Sequence, residues 1–207
     1  KPIFFNTNGN ENVIDLPEFE NQLNSPPSGY AWIASETTNQ PFLGIQQVLT
    51  IKLSKIDANG NIEGTININF NARSVAESSN GSFVVCGNRN VGGFTDNFNS
   101  CLAKFNNNLS LMWNQDLADN NKFEFVEDVK QTADGGYILT GVYGTGEAWL
   151  IKLNSFGYFE WDNKINGFAY ELSYSYDIDI TSDGGYIMTG MREDTNDIYR
   201  NLLLLKN

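Results

Sequence analysis

The residues of this chain whose type and spacing could support catalysis are its paired carboxylates. Glycoside hydrolysis uses one carboxyl group as an acid and a second as a base or nucleophile. The chain contains four closely spaced pairs, Glu18/Glu20, Glu124/Glu127, Asp177/Asp179 and Glu193/Asp194. Histidine is absent from all 207 residues, which excludes Ser-His-Asp and Cys-His nucleophiles, histidine general bases and histidine-ligated metals. Carboxylate chemistry is therefore the enzymatic hypothesis that the composition leaves open.

A repeated motif indicates the elements that must position any such site. Residues 134–141 have the sequence DGGYILTG and residues 183–190 have DGGYIMTG, while residues 80–87 contain a looser version, NGSFVVCG. The final glycines of the three motifs, in chain order, are separated by 54 and 49 residues. A fixed period of this size is typical of solenoids, propellers and other repeat arrays.

Each repeat divides into short β-rich runs. In the third repeat, residues 128–132 alternate in polarity, residues 137–140 and 149–153 are rich in β-forming side chains, and residues 159–161 begin another run. Because Gly, Asn and Asp separate these runs, they predict antiparallel strands joined by hairpins. No segment has a helical period. Four strands in about fifty residues predict one blade of a β-propeller.

The Asp-Gly-Gly step has two interpretations. Glycine accepts the positive φ of a tight hairpin, and the Asp134 carboxylate can cap the turn by accepting a backbone amide. The alternative is an acidic calcium loop, but such a loop needs several carboxylates and each repeat has one. The same reasoning applies to Asp57 in residues 57–61. We therefore favour turns, and we predict neither a metal nor a cofactor.

Taken together, these motifs resemble the propeller-type repeats of bacterial surface and secreted proteins. The residues that carry the resemblance are the motif at 134–141 and the sequence WLIKLNSFG at 149–157, which an aromatic residue follows. The resemblance is close over residues 72–206. It implies a propeller fold and an extracellular or cell-surface location, because related Bacteroidota proteins are often exported by the type IX route or held as lipoproteins. An anchor would belong to a segment not present here.

The repeats predict a single domain of four blades. Residues 29–34 occupy the position of the Gly-Tyr-Ile run in a degenerate first repeat. The predicted boundaries are about 16–71, 72–125, 126–174 and 175–207, with residues 1–12 completing the last blade. Gly9 lies 51 residues before Gly60, in phase with the other repeats. We expect a ring closed by strands from both termini, and the alternative is an open arc of a larger propeller.

Charge and hydropathy restrict the partners. The 25 acidic and 13 basic residues give a net charge of -12, which disfavours nucleic acids and anionic membrane surfaces. No apolar run approaches the length of a membrane span. The chain begins with lysine and shows no signal peptide, which predicts a mature product, so export is implied by the resemblance alone.

The two cysteines leave two alternatives. Cys86 aligns with Thr140 and Thr189, and Cys101 aligns near Trp149 on the next strand of the hairpin. A cross-strand disulfide is sterically feasible and suits an exported protein. The other interpretation is a pair of buried free thiols that act as small apolar residues.

Acidic residues of the first strand in each repeat are candidates for the central channel. Asp177 and Asp179 share one strand face, and the equivalent residues are Asp128 and Lys130 in the preceding repeat and Ser74 and Ala76 in the one before. A set that varies between blades could line a channel or its mouth. We favour solvated positions without chemistry, because propellers place many polar side chains around the channel.

Aromatic residues without repeated counterparts are candidates for binding. Trp113, Trp149 and Trp161 occur on repeated strands, which predicts packing between blades. Trp32 has no aromatic counterpart, and Tyr170, Tyr174 and Tyr176 cluster in the connection before the last repeat. Aromatic residues on loops suit a glycan or protein contact. For Trp32 we favour core filling, because strand positions accept large aromatic side chains.

The sequence therefore predicts a non-catalytic module. We expect an exported or cell-surface binding or scaffold protein that docks a partner protein in an envelope complex. A carbohydrate-binding propeller is the alternative, and a carboxylate-based glycosidase ranks below it.

Overall fold

The computed structural model describes residues 3–5, 11–13, 31–37, 50–57, 59–78, 80–90, 98–117, 124–144, 146–165, 171–194 and 200–206. Every regular element in these ranges is a β-strand. In chain order the strands are β1 (Ile3–Phe5), β2 (Glu11–Val13), β3 (Ala31–Thr37), β4 (Thr50–Ile56), β5 (Ile62–Ile68), β6 (Asn71–Glu77), β7 (Phe83–Asn90), β8 (Phe98–Phe105), β9 (Leu111–Asp116), β10 (Glu124–Gln131), β11 (Tyr137–Tyr143), β12 (Glu147–Leu153), β13 (Phe159–Ile165), β14 (Glu171–Ile180), β15 (Tyr186–Asp194) and β16 (Arg200–Lys206). The prediction of an all-β chain is confirmed. Within the same ranges, no helix has the length and apolar character that a membrane crossing requires.

Consecutive strands pair antiparallel to form five sheets. The first sheet is β3-β4-β5, the second is β6-β7-β8-β9, the third is β10-β11-β12-β13, the fourth is β14-β15-β16, and β1-β2 form an N-terminal hairpin. The first strands of neighbouring sheets are in contact, β6 with β10 and β10 with β14. We therefore call β6, β10 and β14 the inner strands. In the first three sheets the last strand, β5, β9 or β13, is the outer strand.

The repeated motif forms the turn after each inner strand, Asp-Gly-Gly after β10 and β14 and Asn-Gly-Ser after β6. In the third sheet the Gly135 amide donates to the Thr132 carbonyl, and the Thr132 amide donates to the Gly136 carbonyl. Gly135 has a φ of 79°, which a side chain would disfavour. The Asp134 carboxylate accepts the Gly136 amide at 2.9 Å. The turn interpretation is confirmed for this motif.

A buried lysine holds the same aspartate from the neighbouring strand. Lys152 Nζ lies 2.9 Å from Asp134 Oδ2 and 3.1 Å from Glu160 Oε2. Hydrogen bonds from the Thr132 hydroxyl, Lys152 and the Gly136 amide lower the pKa of Asp134 to about 2. The turn therefore keeps an ionised carboxylate into acid solution.

Removal of the Asp134 charge should change how the free energy of unfolding depends on pH. A carboxyl whose pKa is lowered by folding stabilises the fold above its ordinary pKa and loses that effect as the pH falls through its folded pKa. We expect Asp134→Asn to lower the unfolding free energy by about 0.5–1 kcal/mol near neutral pH, since the largely exposed carboxylate is screened. The difference from the wild type should shrink between pH 3.8, the ordinary value, and about 2. Thermal unfolding followed by circular dichroism measures it. Ser155→Ala, an exposed control without a titrating side chain, should show no such convergence, and a gap that is constant with pH would contradict the assignment.

The final glycine of the motif is required for a different reason. Each inner strand has a β-bulge opposite this glycine, between Ala72 and Ser74 in β6, for example. The bulge brings backbone atoms onto the glycine. A Cβ built there would lie 1.9–2.0 Å from a carbonyl oxygen in all three sheets, Gly87 from Asn71, Gly141 from Phe125 and Gly190 from Tyr174. No side chain fits at these positions without opening the ladder.

Neighbouring sheets pack face to face, so that each middle sheet is buried on both faces. Val85 and Ala103 of the second sheet pack toward the first, whereas Val84 and Leu102 pack toward the third. The core between the third and fourth sheets is smaller and contains Ile138, Leu150, Ile178 and Met188. Strands buried on both faces explain why their sequences are apolar runs instead of clean alternations.

Completion of the last sheet by the N-terminal segment stays a prediction. The sequence predicts that residues 1–12 complete the last sheet, but β1 pairs with β2 in a hairpin of its own, and β16 pairs with β15. No ladder between β1 or β2 and β16 occurs among the described residues. The antiparallel repeat sheets are established, whereas closure of a four-bladed ring is not confirmed.

Candidate functional site

The inner strands bring together the polar positions that the repeats align. Ser74, Asp128 and Asp177 pair with equivalent residues of the next strand, Cys86, Thr140 and Thr189. The Ser74 hydroxyl donates to Asp128 Oδ1, and Lys130 Nζ lies 2.8 Å from Asp128 Oδ2 and 4.0 Å from Asp177 Oδ1. Together with Lys130, these residues form what we call the inner-strand cluster. The inner-strand positions that the sequence predicts to be equivalent therefore lie together in the fold.

Asp128 is the centre of the inner-strand cluster and is buried. Besides Ser74 of the second sheet, it accepts the Ile178 amide of the fourth sheet at 3.1 Å and Lys130 Nζ at 2.8 Å. One carboxylate thus joins three successive inner strands. Its oxygens are engaged by protein donors, as structural buried carboxylates are.

Asp177 has the perturbed titration in this cluster. Burial raises its pKa, and the neighbouring Asp128 carboxylate raises it further, while Lys130 works against the shift. The Asp128 charge therefore makes Asp177 a weaker acid than an isolated aspartate.

The described carboxyl groups of the candidate pairs have other protein groups close to them. The two carboxyls of a glycosidase lie about 5–9.5 Å apart, with sugar or water between them, whereas Asp177 of the pair Asp177/Asp179 has the Asp128 carboxylate close enough to raise its pKa. In the pair Glu124/Glu127, Glu127 turns toward Arg73, with 3.6 Å between Arg73 Nε and Glu127 Oε2, and Glu124 lines a separate pocket. Burial raises the pKa of Glu127, and Arg73 opposes that shift. The side chains of the pairs at 18/20 and 193/194 lie outside the described residues.

Two pockets lie where an outer strand meets the following sheet. The first, which we call the apolar pocket, has a volume of about 460 Å³ and lies between the first and second sheets. The second, which we call the aromatic pocket, has a volume of about 400 Å³ and lies between the second and third sheets. Tyr143 and Trp149 pack in the aromatic pocket with ring centroids 5.2 Å apart. Its charged side chains are Asp116, Glu124, Asp162 and Lys164.

The aromatic residues predicted as contacts have different outcomes. Trp32 lies in β3 with its side chain outside the described part of the chain, and Tyr170 lies outside it altogether. Tyr174 and Tyr176 belong to strand β14, so the prediction that they lie on a loop is wrong. Tyr174 is half-buried, while Tyr176 is the exposed bulge residue. Neither Tyr174 nor Tyr176 is among the described residues that line the two pockets.

The cysteines are free, which removes the disulfide alternative. Cys86 pairs with Leu102, and Cys101 pairs with Gly87, so the two cysteines are offset by one residue. Neighbouring strands of a sheet project paired residues to the same face, and an offset of one places the side chains on opposite faces. Accordingly, Cys86 packs against the third sheet and Cys101 against the first.

Both thiols should resist modification in the native protein. Burial raises the pKa of Cys86 well above its ordinary value, with a further contribution from Asp128, and burial raises the pKa of Cys101 to about 12. We expect neither thiol to react with Ellman's reagent near pH 8 until denaturant is added, since the thiolate is the reactive form. Two equivalents should then be released. Release of fewer than two from unfolded, unreduced protein would indicate a disulfide.

The described residues offer no metal centre. They contain no group of three or more His, Cys, Asp or Glu side chains with the placement of metal ligands. Asp57, an acidic residue of the other candidate loop, accepts the amides of Asn59 and Asn61 at 2.9 and 2.8 Å. These bonds identify the loop at 57–61 as a capped turn.

Comparisons with known proteins give little beyond this geometry. No family model matches the chain, and no curated protein matches it. A crystal structure of a protein of unknown function from Bacteroides caccae is similar, with 12% identity and a TM-score of 0.47. The similarity covers 73% of this chain and 53% of the other, so this chain spans about half of that protein. So distant a similarity carries no argument about function.

Proposed function

We propose that this chain is a propeller-type binding or scaffold module that docks a partner protein, without catalysis of its own. The four sheets are the blades, and the outer strands provide the docking surface. The motif resemblance supports action outside the cell or at its surface, after export. The bonded state of the inner-strand cluster supports a structural role for its carboxylates.

The observation that carries the proposal is a row of apolar side chains on the outer strands. Ile62, Leu111 and Phe159 are equivalent, since each pairs with the last residue of the preceding strand. They are 53%, 56% and 61% exposed. Single exposed apolar residues are ordinary, but the same exposure at one position in three sheets is a regular feature of the outer strands. We call these three residues the apolar row.

The composition of the surface favours a protein partner. Met112, Tyr158 and Trp161 lie beside the apolar row and are also exposed. Aromatic residues and methionine are enriched in protein interfaces, where they fill pockets of the partner. A rigid sheet scaffold keeps such side chains in place before binding, which lowers the entropy cost of association.

Site-specific photocrosslinking in the native host tests the docking surface. A benzophenone amino acid at Phe159 should give one discrete adduct with a protein of the cell envelope. The matched control at Asn67, an exposed polar outer-strand residue, should give none. Ile62→Ser with Leu111→Ser should abolish the adduct formed from position 159. Equal labelling from both positions, or adducts that survive the serine substitutions, would refute a docking surface at the apolar row.

The same proposal includes closure of the ring by the N-terminal hairpin beside β16. Where two neighbouring sheets meet in the described part of the chain, one large side chain lies against one glycine. A Cβ on Gly64 would lie 2.5 Å from Leu109, and a Cβ on Gly157 would lie 2.7 Å from Trp113. Trp161 is equivalent to Trp113, because Trp161 pairs with Lys152 and Trp113 pairs with the equivalent residue Lys104. By this equivalence, Trp161 requires a glycine in the corresponding turn of the next sheet.

Gly9 is the glycine that would meet Trp161. It follows Phe5 by four residues, as Gly157 follows Leu153, and the two hairpins have matching pairs, Phe5 with Glu11 and Leu153 with Phe159. In a closed ring, Glu11→Cys combined with Asn207→Cys should form a disulfide within one chain, because Asn207 takes the position of Leu153 in its sheet and Glu11 takes that of Phe159, which pairs with Leu153. The single variants are the controls. Disulfide-linked dimers without the intramolecular product would favour an open arc.

A further inference from the structure

The aromatic pocket has a composition that packing alone does not explain. It opens between outer strand β9 and the third sheet, and its lining includes Trp149, Tyr143, Phe159, Asp116, Asp162 and Lys164. Trp149 is buried, whereas Phe159 is exposed at the mouth. Polar groups set among aromatic walls can fix the orientation of a bound ligand.

The apolar pocket is an internal control, because it occupies the equivalent seam one sheet earlier. Its lining residue Asn114 is equivalent to Asp162, since their partners Ala103 and Ile151 occupy the same register position. The described residues that line it are apolar or asparagine, and none is charged. The seam between two sheets can therefore be packed without charge. Packing between two sheets therefore does not explain why the aromatic pocket contains carboxylates.

Lys164 is already bound inside the aromatic pocket. Its Nζ lies 4.2 Å from the centroid of the Tyr143 ring and 2.8 Å from Asp162 Oδ2. Asp162 is fixed in turn by the Trp149 indole N–H, at 2.9 Å. An ammonium group over an aromatic face and beside a carboxylate is the arrangement that binds organic cations.

The charges of the pocket favour a cation over an anion. Burial opposes ionisation of Asp162, but hydrogen bonds from Lys164 and Trp149 outweigh it, and the net effect lowers its pKa. Asp116 and Glu124 add two more acidic groups to the lining. Arg89 contacts Asp116 from outside the lining, at 3.4 Å. Among the described residues, three acids stand against Lys164 and this arginine, in a chain of net charge -12.

We propose that the aromatic pocket is a binding site for an organic ammonium group, which enters between Tyr143 and Asp162 in place of Lys164. The ligand is a primary amine, either a small amine or the lysine side chain of a protein. Lys164 lies on outer strand β13 with its side chain 34% exposed, so it can withdraw without disturbing the core. The internal lysine thus competes with the ligand and weakens its binding.

Titration of the purified domain with n-butylamine tests the site independently of any protein partner. The probe signal is the indole N–H resonance of Trp149 in a nitrogen-15 NMR spectrum, assigned with Trp149→Phe. Lys164→Ala should bind butylammonium about tenfold more tightly than the wild type, because the internal competitor is gone. Adding Asp162→Asn to Lys164→Ala should remove the saturable shift. Lys52→Ala, which deletes an exposed lysine of the first sheet, should leave the affinity unchanged.

Further ligands separate the alternatives. Acetyl-lysine methylamide with a free side chain amine should bind as butylamine does if the source is a protein, and bind less well if the site takes small amines. A shift by n-butanol equal to that by butylamine would refute a charged site and leave an apolar cavity. Saturation by methyl glucoside but not by amines would refute the proposal in favour of a carbohydrate ligand. Thermal unfolding of each variant verifies that the fold is retained.

Discussion

Substitution of Gly141 by alanine is expected to destabilise the domain by more than about 4 kcal/mol, a loss comparable to the whole stability of many domains. The added Cβ would lie 1.9 Å from the Phe125 carbonyl oxygen and 2.9 Å from Val126 Cα. These are backbone atoms of a bulged inner strand, so no rotamer change can relieve the contact. The ladder between β10 and β11 must open, or the bulge must be lost together with the cluster that follows it. Urea unfolding followed by circular dichroism measures the loss.

Gly184→Ala is the matched control for this prediction. Gly184 has a φ of 82°, and a Cβ there would meet nothing within 4 Å. The expected loss is about 1 kcal/mol, the cost of the left-handed conformation alone. A free energy of unfolding for Gly141→Ala within about 1 kcal/mol of the wild type would show that the bulge relaxes easily.

The repeated motif contains two structurally important features, the Asp-Gly-Gly turn and the final glycine. Only the turn can be predicted from the sequence. The Asp-Gly-Gly turn is predictable because turn chemistry is local, and Gly135 has the positive φ that the prediction requires. The role of the final glycine depends on a bulge in another strand. The bulge residues Arg73, Glu127 and Tyr176 share no chemistry, so no pattern in the sequence marks them. The requirement for glycine at position 141 follows only from its contact with the bulged strand β10.

The candidate site, too, can be predicted from the sequence only in part. Alignment of the repeats places Ser74, Asp128 and Asp177 at one position, and they are neighbours in the fold. Of the two alternatives for the cysteines, the structure has the free thiols, and a usable signal for this was present in the sequence. Cys101 aligns with Trp149, which pairs with Gly141 and not with Thr140, and this offset of one residue reverses the face. The aromatic pocket, by contrast, depends on two sheets meeting and has no signature in one repeat.

Asp128→Ala is the second substitution with a large expected effect, about 3–5 kcal/mol of lost stability, because it removes one partner of a buried charged network. The Ile178 amide and the Ser74 hydroxyl would both lose their acceptor, and Lys130 would lose its ion pair. Since these donors belong to three sheets, the loss should appear as weakened packing between sheets. Urea unfolding measures the free energy, and hydrogen exchange of the Ile178 amide should become faster.

Asp128→Asn separates the hydrogen bonds of this residue from its charge. The amide oxygen can still accept a hydrogen bond from Ile178, so the expected loss is smaller, about 1–2 kcal/mol. The substitution also removes the negative charge that helps to raise the pKa of Asp177. A raised pKa contributes stability at low pH that is lost as the pH rises through the folded value, and this part of the pH dependence should diminish in Asp128→Asn. Equal losses for alanine and asparagine would mean that the ion pair with Lys130, and not the link between sheets, is what Asp128 provides. A larger loss for alanine, with the asparagine variant keeping slow exchange at Ile178, would identify this carboxylate as the bond that holds three inner strands together.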